Sequence, residues 1–327
     1  MNPYPLGANF TPGSAINQLE MWQAETFDPA GIDRELGWAS GLGMNTMRVY
    51  LHDLLWEQDA PGFCERIDQY LGLAQRHGIR TFFVIFDDCW NPDFALGAQP
   101  APKPYQHNSG WIQSPGKRVV NDPSQWPRLE RYVKGLLERF KEDPRILGWD
   151  LYNEPGNGAD AGSISNEGKQ GKGSLPLLKE VFAWARSIKG LTQPLTVGVW
   201  NSGEGYAELN AFSIQHSDLI SFHCYEGPQV LEAKITELQK YGKELICTEY
   251  MARGAGSTFA ACLPVLRRHG VGALNWGLVC GKIQTQFPWG WNAEKGPQPP
   301  VWFHDVFKAD GTLLYPEEKA VFEACRP

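Results

Sequence analysis

One pattern constrains this chain more than any other. Eight times along its length, a short and nearly continuous apolar run is succeeded, in most cases, by a stretch with apolar residues at helical spacing. The apolar runs are Leu6–Phe10, Thr46–Leu51, Thr81–Asp87, Ile146–Glu154, Leu195–Trp200, Leu219–Tyr225, Leu245–Tyr250 and Gly272–Val279. Strands that do not alternate apolar with polar are buried on both faces, as in a parallel sheet. Between them Ile32, Leu36 and Ala39 form one helical stripe, and Leu129, Val133, Leu136, Leu137 and Phe140 another. Strand and helix alternating eight times predict an α/β fold, a single (β/α)8 TIM barrel, as one domain over residues 1–327. With 327 residues, 42% of them hydrophobic, the chain is long enough to bury such a core.

The connections are unequal. Cys89 to Trp126, Gly156 to Gly173 and Phe287 to Trp302 are long, and each follows the C-terminal end of a strand, where barrel enzymes place their sites. The Gly/Ser/Asn-rich stretch from Asn157 to Gly173 reads as a flexible lid. Asn17, Gln18, Glu20, Trp22 and Gln23 form a polar loop after the first strand that could close a pocket. A net charge of -7 argues against nucleic acid or an anionic membrane as partner, and no apolar run is long enough to span a bilayer. The opening MNPYPLGANF has no basic segment leading into an apolar one, so no signal peptide is expected. Seven cysteines without a CxxC pair read as free thiols, which favour a cytoplasmic setting; a processed secreted or periplasmic chain would look the same. No metal and no cofactor is expected, and the sequence does not speak to oligomeric state.

The chemistry concentrates at two strand ends. The run ILGWDLYNEP stops at Pro155, which has no N–H and biases Glu154 towards an extended backbone. The run LICTEY ends with Glu249. Carboxylates at the C-terminal ends of strands four and seven are what a retaining glycosidase needs: one acid, one nucleophile, about 5 Å apart. Arg48 lies on strand two, and a buried Arg requires a partner such as Glu249. His223 and Tyr225, two residues apart on a strand, share a face. Thirteen tryptophans include Trp56, Trp90, Trp111, Trp126, Trp200, Trp289 and Trp291 in loops near strand ends, and several on one rim would make a carbohydrate cleft.

Asn153-Glu154-Pro155, Glu249, Arg48, His223-Cys224-Tyr225 and Trp276 together resemble the retaining glycoside hydrolases of clan A, nearest the family five cellulase-like group. The resemblance covers essentially the whole barrel. It implies a β-glycoside hydrolase acting on β-linked oligo- or polysaccharides through a covalent glycosyl-enzyme intermediate, with Glu154 as acid/base and Glu249 as nucleophile. It further implies that Asn153 binds the sugar 2-hydroxyl, that Tyr225 holds the nucleophile and that Trp276 floors the subsite at the bond being cut.

One position departs from the family. Where a His often ends strand three, this chain reads Asp87-Asp88-Cys89-Trp90, and His52-Asp53 follows strand two instead. Asp87 and Asp88 are candidates to cap a loop, to bind sugar hydroxyls together with Trp90 and Trp200, or to hold a cation; capping is the leading reading. The alternatives to hydrolysis are a transglycosylase with the same carboxylates, a non-catalytic carbohydrate-binding barrel, and a metal-dependent hydrolase using Asp87, Asp88, His52 and His223. Bulky loops after strands three, four and eight suggest a pocket or short cleft, hence short or terminal substrates.

Overall fold

The computed structural model describes residues 4–157 and 173–326. Within them the eight apolar runs form eight parallel strands: β1 Leu6–Asn9, β2 Thr46–Tyr50, β3 Arg80–Val84, β4 Ile146–Asp150, β5 Leu195–Thr196, β6 Ile220–Cys224, β7 Leu245–Tyr250 and β8 Gly272–Asn275. The ladder order is β5-β4-β3-β2-β1-β8-β7-β6. A parallel bridge between Val199 and Phe222 joins the last gap and closes the barrel. The fifth strand is therefore shorter than its apolar run, a two-residue ladder plus one bridge. Most of the other runs also extend past their strands by a few residues. Most of those residues stay buried, with Glu154, Tyr225 and Gly277 partly so, as the chain turns into the loops.

Helices cover the outside because each has one apolar face. In Trp126–Phe140 the buried residues are Leu129, Tyr132, Val133, Leu136, Leu137 and Phe140, all at helical spacing. Asp28 caps Pro29–Gly41 by accepting from the Gly31 amide, and Thr258 caps Phe259–Arg268 by accepting from that of Ala261. Inside the barrel, Phe82, Leu147, Leu219, Ile246 and Leu274 form an apolar plug. Gly148 is needed beside it, since a Cβ there would lie 2.5 Å from the Phe82 ring.

Three or four residues further along β4, β7 and β6 the lining becomes polar: Asp150, Glu249 and His223. A register shift between Phe222 and His223 sets the last of these. Phe222 pairs with Cys247 but His223 pairs with Glu249, so the irregularity skips Thr248 and brings the imidazole level with the carboxylate. All seven cysteines are free. No helix among the described residues is long and apolar enough to cross a membrane.

Candidate active site

Arg48 organises the C-terminal mouth of the barrel. It is wholly buried, and its guanidinium donates in every direction available to it. Nε and Nη2 reach Asp150 Oδ2 at 3.1 and 2.7 Å, and Nη2 also reaches Asn153 Oδ1 at 2.7 Å. Nη1 donates to Asn9 Oδ1 at 2.8 Å, to the Tyr50 hydroxyl, and to Glu249 Oε1 at 2.9 Å. A planar fork with fixed donors suits this task better than an ammonium could. Two carboxylates on one guanidinium also answer the charge problem, since a buried cation without partners would be strongly unfavourable.

Glu249 lies on β7 with both oxygens occupied. Tyr50 donates to Oε1 at 2.9 Å and Tyr225 to Oε2 at 2.6 Å. Burial pushes both phenols well above their ordinary value, so they remain donors. Each oxygen of Glu249 therefore accepts a hydrogen bond from a phenol.

Glu154 is held differently. Its Oε1 lies 2.7 Å from His223 Nδ1, and its Oε2 accepts from the Cys89 thiol at 3.2 Å and from the Asn157 side-chain amide. The expectation of an extended backbone fails here: Glu154 has φ +42°, in the left-handed region. Pro155 restricts the preceding residue only as a local bias, and β4 has ended four residues earlier. Bonds to His223 and Cys89, from two distant elements, together with one to the nearby Asn157, hold the side chain in this conformation instead. Burial pushes the Glu154 carboxyl up, but the hydrogen bond and charge of His223, together with the bonds from Cys89 and Asn157, push it down, so it sits below the ordinary carboxylate value.

One carboxylate oxygen of Glu154, one of Glu249 and a ring nitrogen of His223 lie within 4.8 Å of one another. The same three groups could in principle bridge a cation. The Arg48 guanidinium beside Glu249 and the existing His223–Glu154 bond oppose that use.

Around the carboxylates is a cavity of about 500 Å³. Asn153, His223, Tyr225, Trp90, Trp200 and Trp276 all line it. Asp87 and Asp88 do not. Asp87 accepts from the Cys89 amide, from Asn153 Nδ2 and from Trp111 Nε1 at 2.9, 2.9 and 2.7 Å. Burial pushes it up to about 7. Asp88 accepts from the Tyr152 hydroxyl at 2.7 Å, from the Gly156 amide at 2.7 Å and from Ser174. Both carboxylates tie the third and fourth strand ends together, off the lining of the cavity.

His52 is equally internal, with Nε2 3.0 Å from the Gln113 carbonyl, so the four residues of a metal-dependent site are not brought together. The polar loop after β1 likewise does not close the cavity. Asn17 and Gln18 donate to the Gly110 and Ile112 carbonyls and Gln23 to that of Gly97, so these residues anchor the long loop after β3. Of the loop tryptophans, Trp111 and Trp289 also line the cavity, whereas Trp56, Trp126 and Trp291 do not. The lid expected between Asn157 and Gly173 falls, apart from those two residues, outside the described residues.

Tyr50, Asp150, Cys89, His107 and Asn108 were not singled out as site residues by the sequence reading. Tyr50 was detectable: it stands two residues after Arg48, the same spacing that placed His223 with Tyr225 on one face.

No protein-family model matches the chain. Mannan endo-1,4-beta-mannosidase 1 of Solanum lycopersicum is 31% identical over 122 residues, covering 32% of this chain and 28% of that protein. Mannan endo-1,4-beta-mannosidase of Mytilus edulis is 27% identical over 210 residues, covering 56% of this chain and 51% of that protein. The chain thus matches about half or less of the length of these curated relatives. The endo-beta-1,4-mannanase of Thermotoga petrophila superposes with a TM-score of 0.62 at 16% identity, over 98% of this chain and 76% of that one, a likeness of fold. The chain resembles the family five glycoside hydrolases of clan A. Against that family, the thiol of Cys89 beside Glu154 stands near the end of the third strand, where a His is often found.

Proposed function

We propose that this protein is a retaining β-glycoside hydrolase that cleaves β-1,4-linked mannosides, its residues 1–327 acting as one catalytic barrel. The observation that carries the reading is the facing pair. A carboxylate oxygen of Glu154 lies within 4.8 Å of one of Glu249, close to the separation of about 5 Å typical of retaining enzymes and too near for a water-inserting, inverting pair. The likeness to mannan-cleaving relatives supports mannose as the sugar.

In this reading Glu249 attacks the anomeric carbon while Arg48, Tyr50 and Tyr225 keep its oxygens aligned. Glu154 gives its proton to the departing oxygen, then takes one from the water that releases the sugar. His223 Nδ1, 2.7 Å from Glu154 Oε1, stands within hydrogen-bond reach of the carboxyl that carries this proton. Asn153, oriented by Arg48 on its oxygen and Asp87 on its nitrogen, presents its amide beside the 2-hydroxyl. Trp276, held edge-on by Tyr50 and Trp111 at centroid distances of 5.8 and 5.5 Å, supplies the floor.

Early-time NMR of the sugar released from an aryl β-mannoside tests the stereochemistry: β product first is expected, and α product first would reject retention. Glu249→Ala with added azide should yield the α-glycosyl azide, and Glu154→Ala the β-glycosyl azide. A transglycosylase with the same pair would instead build longer saccharides when acceptor sugars are added.

A further inference from the structure

The long loops after β3 and β8 do not run independently. The Asn108 amide donates to the Ile283 carbonyl at 2.9 Å, the Tyr105 amide to Gln284 Oε1 at 2.8 Å, and Gln284 Nε2 to the Lys103 carbonyl at 2.6 Å. His107 Nδ1 lies 3.0 Å from the Phe287 carbonyl. Since β2 and β1 stand between β3 and β8 in the barrel, these bonds carry the chain across that whole side of the mouth.

The resulting wall packs against the groups that hold Glu249. Trp111 is 5.0 Å from the Tyr50 ring and Trp289 is 5.1 Å from the Tyr225 ring. Glu154, by contrast, is backed by Trp200 from the loop after β5, whose Nε1 donates to the Pro155 carbonyl at 3.2 Å. A nucleophile lies under the sugar that is attacked, and the acid faces the leaving group. The closed end is therefore the end that receives the attacked sugar.

That wall also carries two acceptors, on residues lining the cavity, for which the described residues supply no donor. Asn108 is 2% exposed and lines the cavity, and its Oδ1 has no hydrogen-bond partner among the described residues. Its backbone is fully occupied, the amide by Ile283 and the carbonyl by the Trp111 amide. A buried carbonyl oxygen without a donor is unfavourable and implies a partner that arrives later. His107 also lines the cavity. Its Nδ1 faces a carbonyl and must donate to it, which leaves Nε2 as an acceptor. Burial holds this ring down at about 4, so it stays neutral.

We infer that the β3–β8 wall makes a terminal-sugar pocket in which Asn108 Oδ1 and His107 Nε2 accept hydrogen bonds from hydroxyls of the non-reducing-end residue, so that the enzyme works from chain ends. The inference rests on the hydrolase reading above and goes beyond it by naming the substrate as a free chain end. A polymer passing through the site would have to displace the wall.

The test has two arms. The first measures calorimetric binding of β-1,4-mannotriose, and of the same trisaccharide methylated at the terminal O-4, to the Glu154→Gln chain. The blocked ligand should bind at least about tenfold weaker, one unmade hydrogen bond to a buried group being of that size. Adding Asn108→Ala should remove most of that difference. Equal binding of the two ligands overturns the inference, and does so without Asn108→Ala, should that variant fail to fold. The second arm follows reducing-end-tagged mannopentaose with the unaltered enzyme. Stepwise loss of single residues from the untagged end supports the pocket, and early internal cleavage overturns it. No turnover with the binding difference intact would reject hydrolysis alone, and no binding of either ligand would reject both readings.

Discussion

Glu154 and Glu249 face the same cavity but are built in opposite ways. Glu249 sits within β7, and its partners come from β2, across the barrel (Arg48 and Tyr50), and from just past the end of the adjacent β6 (Tyr225). Glu154 lies four residues beyond its strand, at φ +42°, held by His223, a thiol and the adjacent Asn157. One environment fixes a negative charge among three donors. The other leaves a carboxyl whose ionisation is set by burial against an imidazole, a thiol and a side-chain amide. Two carboxylates in different environments are how a fold assigns two roles to one residue type.

The largest effect is expected where the comparison is sharpest. Glu249→Ala should reduce kcat by about 10⁴-fold or more while the chain still folds, read from aryl β-mannoside turnover beside a urea melt. Retained turnover would mean that the rigid half is only scaffold. Arg48→Met leaves Asp150 and Glu249 without their shared cation and should lower stability by about 3–5 kcal/mol in the urea melt. No such loss would show that the network does not anchor the barrel mouth.

On the labile side, His223→Ala should cost about 10²-fold in kcat/KM and also move the pH profile. His223 is the largest influence holding Glu154 down; without it burial prevails, the carboxyl keeps its proton to higher pH, and the alkaline limb of kcat/KM shifts upward. An unmoved limb would assign the acid elsewhere. The smallest change is Cys89→Ala, which removes one weak donor from Glu154 Oε2 and should cost less than about tenfold in kcat/KM, largely restored by Cys89→Ser. An equal loss in both variants would point to packing rather than to the donated bond.

The legible and illegible parts of this protein divide along similar lines. The strands could be read because a strand buried on both faces must be apolar throughout, and β7 begins and ends where its apolar run does. The helices could be read because one face must cover those strands, as in the stripe from Leu129 to Phe140. Arg48 stood out because an arginine in an apolar strand needs a partner, although sequence named only Glu249 and not Asp150. Asp87 and Asp88 were readable as to residue type but not direction: capping and sugar contact use the same side chain, and their bonds to Asn153, Trp111 and Tyr152 appear only in the fold. His107 and Asn108 could not be found at all, since an unpaired acceptor is defined by what fails to surround it.

Periodicity, strand-end carboxylates and unpaired-charge logic thus set the barrel and the candidate pair from the sequence alone, because each is a rule about a residue and its near neighbours in the chain. The register shift that skips Thr248, the left-handed turn at Glu154 and the β3–β8 wall belong to the tertiary structure. Each depends on contacts between residues tens to hundreds of positions apart, and a local bias such as that of Pro155 is too small to oppose them.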